Sequence, residues 1–172
     1  MAKVLFETPR LTGRQLVPAD LEAMMLVYGD EDAMRWVGDG TAITLAESER
    51  WLKVTLNNYL VRGYGMTALV WRDSGEVIGF CGLVHPDDQL EAEIKYALKR
   101  SYWGKGLATE AARAMLAYGK EALGLAHVIA TTAPENTASH RVLMKAGMVR
   151  GELVSEEDGS LTQVFEWHAR DA

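Results

Sequence analysis

The sequence predicts a single α/β domain whose mixed, twisted sheet is flanked by helices, and three observations lead there. Two strand-like segments around a Gly75 turn make a hairpin pattern, and a strand–helix–strand order follows. No internal repeat, low-complexity tract or Pro/Gly/Ser-rich linker interrupts the chain. Its 172 residues suit one domain, residues 1–172, large enough to bury a hydrophobic core.

The elements are expected in the following order. Leu11 to Val17 reads as a first strand, and Pro18 suits the first turn of a helix reaching Tyr28. A short helix over Glu31 to Val37 precedes a Gly38-Asp39-Gly40 turn. Thr44-Leu45-Ala46-Glu47 has capping-box spacing, and Leu45, Trp51, Leu52, Leu56, Tyr59 and Leu60 then recur near the helical period. Strands follow at Gly65 to Trp71, Val77 to Val84 and Leu90 to Leu98. Leu107, Ala111, Met115, Leu116 and Leu123 make a helical stripe, and His127 to Thr132 reads as a short buried strand. A helix from Thr137 to Ala146 is closed by Gly147, and strands at Met148 to Val154 and Leu161 to His168 finish the chain.

Composition narrows the function classes. Apolar residues at 48% and charged residues at 24% describe a soluble globular protein, and a net charge of −6 argues against a nucleic-acid partner, which calls for a basic stripe. No apolar run spans a membrane, and MAKVLFETPRL has none of the parts of a signal peptide. Cys81 is the single cysteine, so no internal disulfide forms, and a cytoplasmic location is expected. His85, His127, His140 and His168 are scattered without metal-ligand spacing, so no metal is expected. A homodimer is a compatible assembly.

The most informative stretch is Leu98-Lys99-Arg100-Ser101-Tyr102-Trp103-Gly104-Lys105-Gly106-Leu107-Ala108-Thr109-Glu110-Ala111. A strand ends, two glycines follow, and a helix starts at once. Free amides and the positive end of the helix dipole suit an anion such as a pyrophosphate, and glycine admits it closely. Alone, the segment also reads as an ordinary glycine-rich loop. The second stretch, after the next strand, is Pro134-Glu135-Asn136-Thr137-Ala138-Ser139-His140-Arg141-Val142-Leu143-Met144-Lys145-Ala146-Gly147-Met148. Taken together, Tyr-Trp-Gly-Lys-Gly-x-Ala-Thr-Glu-Ala, then Asn-x-x-Ser and Lys-x-Gly-Met, resemble the GNAT acetyltransferase superfamily, in the branch similar to ribosomal-protein N-terminal acetyltransferases. Gly79-Phe80 and Glu93-Ile94-Lys95-Tyr96 resemble it too, so the likeness runs from about Thr8 to about Trp167.

The resemblance implies a GNAT-like fold with splayed central strands holding CoA, and transfer of an acetyl group from acetyl-CoA to an amine. It implies that the backbone of Trp103, Gly104, Lys105, Gly106, Leu107, Ala108 and Thr109 holds the CoA pyrophosphate. Tyr96, Ala97 and Leu98 would pair with the pantetheine arm as an added strand. Asn136 resembles the asparagine that contacts CoA, and it also reads as a helix N-cap; the roles are compatible. This sequence departs from the family pattern at Ser101, where Gln or Arg is common, and at Met148, where Phe is usual. Many members also carry a tyrosine acid seven residues after the asparagine, where Leu143 stands here. Ser139 is the nearest substitute as acid for the leaving thiolate; it reads equally as a helix hydroxyl bonding backbone or CoA.

For the base, alternation places Leu90, Ala92, Ile94, Tyr96 and Leu98 on one strand face and Glu91, Glu93 and Lys95 on the other. A charged face on an interior strand points to a cleft or to water. Glu93, nearest the expected splay, is the first candidate to orient the amine or relay its proton, and His85 the second. Glu110 needs no chemical role, because an acid in a first helical turn is favourable by itself. Cys81 reads as a buried structural thiol rather than an acyl carrier, which favours direct attack of amine on thioester. The amine would meet a wall from the helices over residues 30–62 and the carboxy-terminal hairpin, with Trp36, Tyr64 and Trp167 as candidate aromatics. An α-amino acceptor, a peptide amino terminus or amino acid, is expected first. A polyamine or antibiotic amine is the rival, and a non-catalytic acetyl-CoA sensor the alternative of a different class.

Overall fold

The computed structural model describes residues 2–37 and 40–172, so the first two positions of the expected Gly38-Asp39-Gly40 turn lie outside the described residues. Strands β1 (Val4–Glu7), β2 (Leu11–Gln15), β3 (Met66–Trp71), β4 (Val77–Val84), β5 (Ala92–Leu98), β6 (His127–Thr132), β7 (Val149–Ser155) and β8 (Leu161–His168) form one sheet. Their spatial order is β1-β2-β3-β4-β5-β6-β8-β7. Every neighbouring pair is antiparallel except β5 with β6, which is parallel. The helices are α1 (Leu21–Tyr28), α2 (Glu31–Met34), α3 (Leu45–Val61), α4 (Leu107–Glu121) and α5 (Thr137–Lys145).

Helices cover both sheet faces and seal two cores. On one, Cys81, Leu83, Ile94 and Leu98 pack with Leu107, Ala111, Met115 and Leu116 of α4 and Leu143 of α5. On the other, Leu16, Ala68 and Phe80 meet Met24, Val27, Tyr28 and Leu52 of α1 and α3. Each large side chain taken fully out of water here stabilises the fold by about 1.5–3 kcal/mol. The split has a functional consequence, because alternating β5 residues face different cores and so different halves of any site between the layers.

The structure corrects several expectations. Strand β1 is additional; four residues, largely half-exposed at a sheet edge, carry too little alternation to be read. Pro18–Asp20 is a 3₁₀ turn ahead of α1 rather than its first turn. The cause is Asp20, whose buried carboxylate accepts the Val17 amide at 2.8 Å and both terminal nitrogens of Arg14 at 2.8 and 2.9 Å. In α3 the capping box forms, with Thr44 Oγ1 accepting the Glu47 amide at 3.2 Å. Its inward face, however, runs through Ser48, Leu52 and Thr55, and Leu45 and Leu60 are exposed. Leu90 precedes β5 instead of lying within it, so it escapes the alternation and is 91% exposed. Among the described residues no helix is long and apolar enough to cross a membrane.

Replacing Asp20 by Asn removes the charge that faces a half-buried Arg14. Breaking one side of such a buried pair costs about 3 kcal/mol, the low end for this class. The Asp20→Asn variant is therefore expected to melt roughly 6–12 °C lower by calorimetry for a domain of this size.

Candidate active site

The two parallel strands meet at only two positions, Ala92 with Val128 and Glu93 with Ile129. Beyond them β5 stays paired with β4 to Leu98, and β6 with β8 to Thr132. The strands part like a fork, and one edge of Ile94–Leu98 is left without a strand neighbour. The cleft that opens there measures about 1610 Å³, more than the roughly 300–1,000 Å³ usual for a single small ligand. It has room for two reactants.

One wall comes from the fork and the α4–α5 layer. Tyr96, Ala97, Leu98, Trp103, Gly104, Gly106, Leu107, Ala108, Thr109, Asn136 and Ser139 all line the cleft, which brings together the two sequence motifs. Lys105 is the exception: its ammonium lies 5.4 Å from the Tyr102 ring centre and its carbonyl accepts Arg10 Nη1 at 2.9 Å. Gly104 and Gly106 adopt φ of 73° and 77°, a region that strains other residues, and Gly106 caps α4. A Cβ at Gly104 would meet nothing within 4 Å, and one at Gly106 only the Arg10 guanidinium at 3.6 Å. This glycine-bare helix start beside a cation suits the phosphates of a CoA thioester.

Side chains hold that cradle in place. Trp103 Nε1 donates to the Leu98 carbonyl at 2.9 Å, fastening the loop to the strand end. Glu110 accepts Thr8 Oγ1 at 2.6 Å, the Arg10 amide at 3.1 Å and Arg10 Nε at 2.8 Å. Burial disfavours its charge, but these hydrogen bonds outweigh burial and hold the carboxyl below the usual range. Glu110 thus ties the β1–β2 turn to the first turn of α4.

Asn136 caps α5, its Oδ1 accepting the Ser139 amide at 3.3 Å. With its amide so engaged, Ser139 directs its hydroxyl across to β5, where it lies 2.6 Å from the Tyr96 hydroxyl. Burial pushes the Tyr96 phenol up to about 12. Sequence reasoning enlisted Tyr96 for its backbone alone; the phenol was visible only as a side chain on the Ile94 face of the strand. Leu143, at the place of the family tyrosine, is 1% exposed and carries no proton.

Glu93 sits at the crotch of the fork, yet its face is closed, against the expectation of an open charged face. It is 3% exposed, and its carboxylate accepts Gln89 Nε2 at 3.1 Å, Thr131 Oγ1 at 2.8 Å and Lys95 Nζ at 3.0 Å. It is Lys95 that lines the cleft. His85 also lines it, but both ring nitrogens are engaged: Nδ1 with the Gln89 carbonyl at 2.9 Å and Nε2 with the Tyr64 hydroxyl at 2.6 Å. A carbonyl only accepts, so Nδ1 is the donor to Gln89, which leaves Nε2 to accept a hydrogen bond from the Tyr64 hydroxyl.

The opposite wall comes from α2, α3 and the turn after β4, with Ser160, Leu161 and Thr162 of the last hairpin at its end. Of the three expected aromatics only Trp36 reaches it; Tyr64 packs on the core beside His85, and Trp167 is buried there. Cys81 is fully buried, which pushes its thiol up to about 12. The histidines are less scattered than the sequence suggests, because antiparallel register sets His127 opposite His168 with Glu166 alongside. Their rings stack at 4.6 Å and 8°, and one ligand atom from each of the three residues lies within 4.8 Å of the others, a grouping that could hold a metal ion and that sequence spacing did not reveal.

Residues 10–149 match the family model described as an acetyltransferase (GNAT) domain. A Bacillus licheniformis protein named uncharacterized N-acetyltransferase p20 is 31% identical over 150 residues, 83% of this chain and 84% of its own. Among solved structures, RimL, a ribosomal alpha-N-protein acetyltransferase in complex with coenzyme A, aligns with a TM-score of 0.82. That match has 14% identity and covers 99% of this chain and 100% of RimL. AAC(6')-Ib in complex with ribostamycin and coenzyme A aligns with a TM-score of 0.78 and 22% identity, over 94% and 95% of the two chains. With the family model spanning residues 10–149 and a relative 31% identical over most of both chains, the chain belongs to the GNAT acetyltransferase family.

Proposed function

We propose that the protein transfers the acetyl group of acetyl-CoA directly to an α-amino group, that of a peptide amino terminus or an amino acid. The observation that carries this reading is the fork after Glu93, with the glycine cradle at one end and Ser139 inside it. In this reading the pantetheine arm lies along Tyr96, Ala97 and Leu98, the pyrophosphate rests on the backbone of Trp103–Thr109, and Asn136 touches CoA while capping α5. A backbone amide of the open β5 edge polarises the thioester carbonyl, which gains negative charge as the amine attacks. Ser139 protonates the departing thiolate. Glu93 does not face the cleft and already accepts three donors, so it acts by positioning Lys95 on the cleft wall rather than by taking a proton from the amine.

That last point bears on the acceptor. At pH 7 an α-amine of pKa about 8 is roughly one-tenth neutral, whereas a lysine amine of pKa about 10.4 is neutral in only about one molecule in 2,500. Reaching the nucleophilic form costs about 1.4 kcal/mol for the first and about 4.6 kcal/mol for the second. With Glu93 and His85 both engaged, the acceptor that needs less help fits better. RimL, by its name, acts on an alpha-amino group and has this fold, which supports the reading; AAC(6')-Ib has the same fold and was captured with ribostamycin.

Two measurements test the proposal. Gly106→Val puts a branched side chain at φ of 77° on the cradle floor, and it is expected to fold while binding acetyl-CoA at least tenfold more weakly by calorimetry (about 1.4 kcal/mol). Wild-type affinity would place the phosphates elsewhere. The second is kcat/KM for peptides with free amino termini against amino-blocked peptides that contain lysine. A preference of about tenfold or more for the free termini is expected, given the roughly 3 kcal/mol difference in deprotonation cost. Preference for blocked lysine peptides overturns the α-amino reading, and turnover of polyamines or aminoglycosides alone transfers it to a small amine.

A further inference from the structure

The hydroxyls of Tyr96 and Ser139 meet within the fork, one coming from β5 and one from the first turn of α5. Their 2.6 Å separation is short for a pair of neutral hydroxyls, and both residues line the cleft. A hydroxyl pair has one shared proton and one that is free to point elsewhere. The direction of the shared bond decides what Ser139 can do. If Ser139 donates to Tyr96, its proton is spent on the wall; if Tyr96 donates to Ser139, the serine proton is free to face the reacting sulfur.

We propose that Tyr96 is a positioning residue that donates to Ser139, turning the serine proton toward the departing thiolate and refilling it once it is given up. The inference rests on the reading of Ser139 as the acid. Three observations favour this direction. The buried phenol keeps its proton well above neutral pH, so it is a standing donor. The Ser139 amide is already bound by Asn136 Oδ1, which leaves the side chain rather than the backbone to face the cleft. Negative charge that develops on the serine oxygen lies in the first turn of α5, where the helix dipole favours it. On α5 itself Leu143 is buried and carries no proton, so the phenol that reaches this part of the cleft is the one on β5.

The step balances without an added reactant. As the tetrahedral adduct collapses, the carbon–sulfur bond breaks and its electron pair leaves on sulfur. The Ser139 O–H proton passes to that sulfur, and the Tyr96 proton passes to the serine oxygen. The proton that the amine nitrogen loses goes to solvent, and one from solvent restores Tyr96. The net change moves one proton from nitrogen to sulfur.

The test compares wild type, Ser139→Ala, Tyr96→Phe and the double variant in the full chain, with acetyl-CoA and the amine that turns over fastest. Phenylalanine keeps the buried ring, so Tyr96→Phe removes only the hydroxyl. Single-turnover rates should fall about 100-fold in Ser139→Ala and about tenfold in Tyr96→Phe, the low range for a general acid because a thiolate leaves readily. The KM for acetyl-CoA should stay within about twofold, and the double variant should be no slower than Ser139→Ala, as groups acting in series require. A proton inventory in mixed light and heavy water should show two protons in flight in wild type and one in Tyr96→Phe, which a wall residue would not produce. Tyr96→Phe with an unchanged rate beside a slow Ser139→Ala overturns the pairing and leaves Ser139 as the acid. An unchanged Ser139→Ala rate removes the acid itself, and multiplicative losses or a raised KM with intact kcat reduce Tyr96 to packing.

Discussion

Two paired positions, Ala92 with Val128 and Glu93 with Ile129, make up the backbone pairing between β5 and β6 that joins the two halves of the sheet, and the rest of the molecule is arranged around that short seam. A parallel pair that stops so soon leaves backbone donors and acceptors facing a cleft, and such groups are expensive to bury without partners. The strands can stay apart because each is fully paired on its outer side, β5 with β4 and β6 with β8, and because α4 and α5 pack beneath both. Thr131 on β6 donates to Glu93 on β5, so the seam ends in a side-chain bond rather than a fray. Glu93 thus has a structural reason to be where it is before any chemical one.

The cradle depends on parts of the chain that lie far from it in sequence. Arg10 and Thr8, at the edge of the sheet, reach Glu110 in the first turn of α4, and Arg10 also holds the carbonyl of Lys105 between the two glycines. The glycine loop is therefore pinned from both sides, by this clamp and by Trp103 on Leu98. Glu110 takes the Nε edge of Arg10, and the Nη2 nitrogen of the same guanidinium lies near Gly106. An edge hairpin that looks remote from catalysis helps shape the phosphate end of the cleft.

What could be read from sequence was what local physics dictates. Strands β4, β6 and β8 fall at their expected bounds because alternation and turn residues define them, and the Gly104/Gly106 loop is legible because positive φ selects glycine. The Asn136–Ser139 turn is legible for the same reason, a cap and its amide being three residues apart. Alternation also placed Glu93 and Lys95 on one face correctly, but it says nothing of what packs against that face. Thr131, 38 residues away, and Gln89 close Glu93 off, leaving Lys95 to meet the cleft. The Tyr96–Ser139 contact spans 43 residues, and the His127–His168 stack needs the register of β6 on β8; neither leaves a local trace. Edge strand β1 was hidden by its brevity.

The burial of Cys81 has a bearing on how the protein behaves toward thiol chemistry. It is the sole cysteine, it has no exposed surface, and a thiol held near 12 presents almost no thiolate at neutral pH. The native fold therefore offers nothing for disulfide exchange with glutathione or for a mixed disulfide with CoA itself. A dye that reads free sulfhydryls in solution sees the released product against a silent protein, and a signal from Cys81 reports only that the fold has opened.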